Sequence, residues 1–276
     1  MSESLLSQLP ELVNLAWIGV LCWIGLGFAA LFLRGSRGVL EGLQLLGAVV
    51  ALLMAGVGAA ALLLPASAVV LPIGLPDLPM HLRLDALSGF FLFLLGAAGF
   101  GVGLYAWGYF RSTAEGPLSL ILLWYHLFLA GMSMVLLADD AYAFMVAWEL
   151  MALSSYFLVT TDHDKPDIRR AGFLYLLIAH VGAVALLLCF GVLQGGEVAN
   201  AGAYTFAYMR GAEIAPFWAS AAFLLALFGF GAKAGLVPMH VWLPEAHPAA
   251  PSPVSALMSG VMLKTAIFGL LRVSFD

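Results

Sequence analysis

Eight apolar stretches, each long enough to cross a bilayer, dominate the sequence: about 12–33, 39–64, 86–110, 118–138, 141–160, 171–193, 216–239 and 253–274. A membrane-crossing helix needs roughly 20 such residues, so eight of them leave no room for a soluble domain in 276 residues. Composition agrees, with 63% of residues hydrophobic and 10% charged, against about 25% charged in a soluble domain. Disorder, a collagen-like chain and a disulfide scaffold are excluded on the same ground. Eleven Lys and Arg against sixteen Asp and Glu give a net charge of −5, which provides no basic surface for nucleic acid. Cys22 and Cys189 lie inside apolar runs and read as packing residues rather than a disulfide or cluster ligand set. The expected fold class is an all-α polytopic membrane protein with about eight transmembrane helices.

Residues ahead of the first run include Glu3 and Glu11 and no Lys or Arg, unlike a cleavable signal peptide. One set of alternate loops carries Arg34, Arg37, Arg111, Lys165, Arg169 and Arg170, and the other Arg83, Arg210 and Arg272. The richer set should face the cytoplasm, leaving the N-terminus extracytoplasmic. Residues 65–84 hold four prolines among alternating apolar positions, which predicts a short extracytoplasmic hairpin. Residues 161–170 (TDHDKPDIRR) read as a charged cytoplasmic turn, and 194–215 as an interfacial stretch.

The chemistry lies in ionisable residues within the apolar runs. Glu149 is about eight residues into the fifth run, roughly 12 Å along a helix at 1.5 Å per residue. Lys264 is similarly central in the eighth, Lys233 lies in the seventh, and His126 and His180 occupy comparable depths in the fourth and sixth. A charge at such depth costs about 2.5–3.5 kcal/mol on insertion scales and is rare without a purpose. A buried Glu149–Lys233 ion pair would account for two of the five, and core histidines bonded to backbone carbonyls for two more. A proton relay would account for all five, because burial disfavours the charged form and histidine already switches near neutrality.

Gly229, Gly231 and Gly235 surround Lys233, and Pro238 follows, so the seventh helix should break there. Irregular backbone at membrane depth is tolerated only inside protein or beside a water-filled cavity; the glycines would also allow close packing. In the following PMHVWLPEAHPAAPSPVSALM segment, Ser252 reads as N-cap and Pro253 as the first helical residue. His240 and His247 lack further ligands nearby, so no metal is expected. They read as hydrogen-bonded groups at a water entrance, with Trp242 as interface anchor. Gly99, Gly101 and Gly103 have no preceding strand and form no nucleotide loop. Asp139 and Asp140, at the mouth of the fifth run, suit a helix N-terminus or a proton exit or entry.

The segments FMVAWELMALSSYFLV, DHDKPDIRRAGFLYLLIAHVG and FGFGAKAGLVPMHVWLPEAHPAAPSPVSALMSGVMLKTAIFGLLRV resemble the proton-conducting, antiporter-like membrane subunits of respiratory complex I, multisubunit cation/proton antiporters and membrane-bound hydrogenases. Within that family the hydrogenase-4 component B and formate hydrogenlyase branch is most similar. The resemblance extends from about residue 80 onward. It implies a division into residues 1–115, three N-terminal helices with the hairpin, and 116–276, a five-helix proton-conducting repeat of spans four to eight with a broken seventh helix. It further implies roles for Glu149 as the glutamate of the fifth span, Lys233 as the lysine of the broken helix and Lys264 as the lysine that passes protons onward. His180 corresponds less closely, to a polar position on the sixth span. Family members continue to about fourteen spans, so the expectation is a fragment or a chain completed by a partner.

The resemblance implies a pump module in the bacterial inner membrane, with no cofactor of its own. Its expected partners are other membrane subunits and peripheral redox subunits that carry the cofactors, besides the lipid bilayer. A multisubunit Na+/H+ antiporter subunit, a membrane subunit coupled to bicarbonate uptake, and a non-conducting scaffold whose midplane charges fix helix register stand as alternatives.

Overall fold

In lipid a backbone must satisfy its own polar groups, so each apolar run resolves into a helix. The computed structural model describes residues 11–113, 117–195 and 202–276. The order is α1 (Leu12–Phe32), α2 (Arg37–Ala61), β1 (Ser67–Leu75), β2 (Leu78–Leu84), α3 (Ala86–Thr113), α4 (Leu118–Leu137), α5 (Ala141–Val159) and α6 (Pro166–Leu193). There follow a short α7 (Phe206–Gly211), α8 (Pro216–Ala234), a 3-10 turn (Met239–Trp242), α9 (Leu243–Ala249), α10 (Ser252–Leu257), a π turn (Met258–Met262) and α11 (Leu263–Phe275). Among the described residues, eight helical stretches are long and apolar enough to cross a membrane. The seventh runs 34 residues, from Pro216 to Ala249, and the surplus over the roughly 20 needed is taken up by its break.

Helix α4 is the hub: 89% of its span is buried, against 28% for α1. Helices α1 and α5 pack on it, α2 packs on α3, and α8 contacts both α6 and α11. The α2–α3 seam is made of small residues; Gly58 meets Gly89, and Gly96 meets Ala51 and Ala55. Such residues bring helices close where no hydrophobic force acts between them. Gly103, one of the three glycines excluded above as a nucleotide loop, packs on Ala48 in this seam.

The hairpin is present as an antiparallel pair, Ser67 opposite Leu84 through Leu75 opposite Leu78, with Leu71, Leu82 and Leu84 buried beneath it. It sits at the end of the bundle where α4 meets α5: the Asp139 N–H donates to His81 O at 2.8 Å, and the Phe206 N–H to Asp139 O at 3.0 Å. A charged clasp closes this end. Arg272 of α11 donates to both Asp85 oxygens at 2.7 and 2.8 Å and to Ser88 Oγ at 2.7 Å. Arg83 pairs with Asp139 at 3.1 Å and Asp276 at 2.6 Å, and Arg210 with the same two at 3.4 and 3.2 Å. Burial alone would raise the Asp85 carboxyl, but the Arg272 and Ser88 hydrogen bonds and two guanidinium charges hold it well below the usual carboxylate range. Asp140 is wholly buried, caps α5 through the Ala143 N–H, and accepts from His81 N–H at 2.6 Å. There burial prevails over these bonds and the nearby His81 ring, and the carboxyl is raised.

Several sequence expectations need correction. The sixth helix starts at Pro166, so Arg169 and Arg170 belong to its first turns rather than to a loop; proline is well suited to a first helical position. Helix α10 starts at Ser252 with Pro251 as N-cap and no side-chain cap bond, one residue earlier than expected. Trp242 is buried, not an interface anchor. The interfacial stretch 194–215 is described only in part, since 196–201 lie outside the described residues, as do the first ten residues on which the leader argument rests.

Candidate functional site

The seventh span breaks where the glycines and proline predict. Helix α8 stops at Ala234, and Gly235 takes a left-handed conformation (φ 75°), the usual glycine stop for a helix. Leu236 N–H then bonds back to Gly231 O at 2.9 Å. The indole N–H of Trp242 donates to Ala232 O at 2.8 Å, satisfying one of the carbonyls that a helix end leaves open. Lys233 thus sits in the last turn of α8, where the negative end of the helix dipole favours a cation.

Lys233 is only 2% exposed. Its Nζ donates to Tyr175 Oη of α6 at 2.6 Å and lies 4.7 Å from the centre of that ring. Tyr175 Oη in turn shares a 2.6 Å hydrogen bond with Ser155 Oγ of α5, and lies 3.7 Å from Met262 Sδ in the π turn. Ser155 also reaches Met151 O at 2.7 Å. The Trp242 ring packs 4.9 Å from that of Tyr175. Lysine, phenol and serine hydroxyl form one buried line across α8, α6 and α5.

Glu149 is not paired with Lys233. Its carboxylate lies 3.6 Å from His180 Nε2, on a surface where the two side chains are 33% and 50% exposed, and His180 Nδ1 bonds Leu176 O at 3.0 Å. Lys264 is exposed, and its Nζ donates to Ser259 O at 2.6 Å. The π turn explains that carbonyl: within Met258–Met262 the backbone shifts to wider bonds, with Leu263 N–H on Met258 O. Such one-turn π segments free backbone groups and recur at functional sites.

The fifth predicted residue lies on the hub helix. His126 is wholly buried in α4, with Nδ1 2.7 Å from Leu122 O, its Cβ against Gly27 of α1 and its ring against Gly47 of α2. Depth along a helix was legible in the sequence, but the direction in which a side chain points was not. His247 Nδ1 bonds Ser255 Oγ at 3.0 Å, and His240 is half-buried. Among the described residues no cluster of His, Cys, Asp and Glu could hold a metal. Tyr175 and Ser155 were missed. Their one sequence signal is polarity inside apolar runs, the same signal that singled out the charged residues.

A buried lysine at a helix break, with a glutamate–histidine pair and a second lysine on other spans, marks a polytopic membrane protein that carries ionisable groups within its spans. Residues 138–276 match the family model described as NADH:quinone oxidoreductase/Mrp antiporter, transmembrane, and the chain belongs to that family. Hydrogenase-4 component B of Escherichia coli (strain K12) is 45% identical over 197 residues, 71% of this chain and 29% of that protein. NADH-quinone oxidoreductase subunit M of the same organism is 31% identical over 202 residues, 71% of this chain and 39% of that one. The matched part is therefore well under half the length of either relative. A chain of the Mrp complex from Dietzia sp. DQ12-45-1b shares the fold with a TM-score of 0.78 at 21% identity, over 95% of this chain and 48% of its own. An archaeal membrane-bound sulfane sulfur reductase does so at 0.75 and 18%, over 95% and 52%.

Proposed function

We propose that the chain is part of a proton-translocating membrane subunit of a redox-driven complex of the hydrogenase-4 or complex I kind, in a bacterial inner membrane with its arginine-rich loops cytoplasmic. Lys233 is the proton-loading group. The observation that carries this reading is its fully buried amine at a helix break, held by a neutral hydroxyl and not by a carboxylate. A structural ion pair would keep the lysine charged, whereas a neutral partner leaves it free to gain and lose a proton. Glu149 with His180, on α5 and α6, forms the charge-sensing pair, and Lys264, exposed at the π turn, passes the proton onward. The other membrane subunits and the cofactor-carrying redox subunits are partners. A Na+/H+ antiporter would use the same residues, and the likeness to the Mrp chain keeps it as the second reading.

Proton pumping by the assembled complex in sealed vesicles tests this. Lys233→Ala at matched assembly should abolish pumping, while unchanged pumping would remove Lys233 from the path. A sodium gradient that drives proton movement without electron donor would favour the antiporter.

A further inference from the structure

The partner of a proton-loading lysine must serve two states with opposite needs: the ammonium offers only donors, and the neutral amine also needs its lone pair satisfied. A carboxylate answers the first and stabilises the charge. A hydroxyl answers both, because it donates or accepts by rotation of one bond. We propose that Tyr175 is the positioning residue of Lys233 and that Tyr175 and Ser155 form a hydrogen-bond line whose polarity reverses with the lysine's protonation. This deepens the proton-loading reading of Lys233 and rests on it.

With the ammonium present, Lys233 donates to Tyr175 Oη, the phenol O–H donates to Ser155 Oγ, and the serine O–H donates to Met151 O; the distances are 2.6, 2.6 and 2.7 Å. Once the proton has left, the phenol O–H turns to the amine lone pair and the serine O–H turns to Tyr175 Oη. No proton is exchanged along the line; only two hydroxyls rotate, and every buried atom keeps a partner. The burial makes this necessary, since Lys233, Tyr175 and Ser155 are exposed by 2%, 1% and 0%, and an orphaned buried polar group is costly.

Among the described residues, the other ionisable groups named on the elements around the line make no hydrogen bond to Lys233. On α5 and α6, Glu149 and His180 pair with each other. Beyond α8, His247 bonds Ser255 and stacks on Trp242, and half-buried His240 shows no bond to Lys233. On the eighth span Lys264 binds Ser259 O, and Arg272 is in the clasp. Among the described residues, Tyr175 Oη is the hydrogen-bond partner of Lys233.

Pumping and its pH profile in sealed vesicles bearing the assembled complex, for wild type, Tyr175→Phe, Ser155→Ala and Lys233→Ala, tests the proposal. Phenylalanine keeps the ring and its packing and removes only the hydroxyl. The expected result for Tyr175→Phe is normal assembly, at least about a tenfold loss of pumping, and a pH profile displaced by about one unit or more. Ser155→Ala should displace the profile in the same direction by less. Loss of pumping in Lys233→Ala with wild-type rate and profile in Tyr175→Phe would overturn the hydroxyl line and leave the loading role of Lys233 standing. A slower Tyr175→Phe with an undisplaced profile would reduce Tyr175 to packing and overturn it equally. Undiminished pumping by Lys233→Ala would sink the loading role itself.

Discussion

His126 and Lys233 look alike in the sequence, each a basic side chain within an apolar run, and the surroundings separate them. Lys233 meets the Tyr175 hydroxyl, whereas His126 Nε2 fills the space that a side chain at Gly47 would need. The backbone of Gly47 is held from its other side by the Trp23 indole N–H, 3.0 Å from Gly47 O. We therefore expect Gly47→Ala to destabilise the fold by about 1–3 kcal/mol through forced displacement of the ring, read as a lower melting temperature in detergent. Pumping per folded complex should be unchanged if His126 serves packing; a specific pumping defect would place His126 in the relay. What was legible at this scale was which residues are costly in lipid. Their partners were not, because Tyr175 and Ser155 lie 58 and 20 residues from the groups they bond, and sequence spacing carries no such information.

The elements were legible to within a few residues wherever a proline or glycine marks an end. Pro166, Pro216 and Gly235 all fall at helix limits. The role of Trp242 was not legible, since an aromatic near a predicted span end suits the interface as well as it suits a buried cap. Two substitutions probe the break. Gly235→Val would strain a positive φ and drive its side chain into Leu243; a loss of at least about 1 kcal/mol is expected, with pumping falling as well because the Lys233 turn moves. Trp242→Phe leaves Ala232 O without its donor and should cost about 1–3 kcal/mol. A melting temperature equal to wild type in both variants would mean that the break is set elsewhere.

For the whole molecule, the sequence announced eight spans and a hairpin, and it gave no sign that the hairpin end is locked to the eighth span through Asp85 and Arg272. That clasp has a pH signature. The Asp85 carboxyl is lowered in the fold, so its contribution is complete above the ordinary value of 3.8 and is lost progressively as pH falls below it. In detergent the melting-temperature gap between wild type and Asp85→Asn should therefore be steady from about pH 7 to 5 and shrink below about pH 4, with Asp85→Asn the less stable at neutrality. A gap that keeps its full size in acid would assign the acid loss to other carboxylates. The two halves of the clasp are 187 positions apart in the chain. During biosynthesis Asp85 emerges early and its guanidinium partner only after the seventh span has been laid down. The hairpin end must therefore wait for its Arg272 contacts while the spans between are laid down, and it is fastened by a turn of helix made long after it.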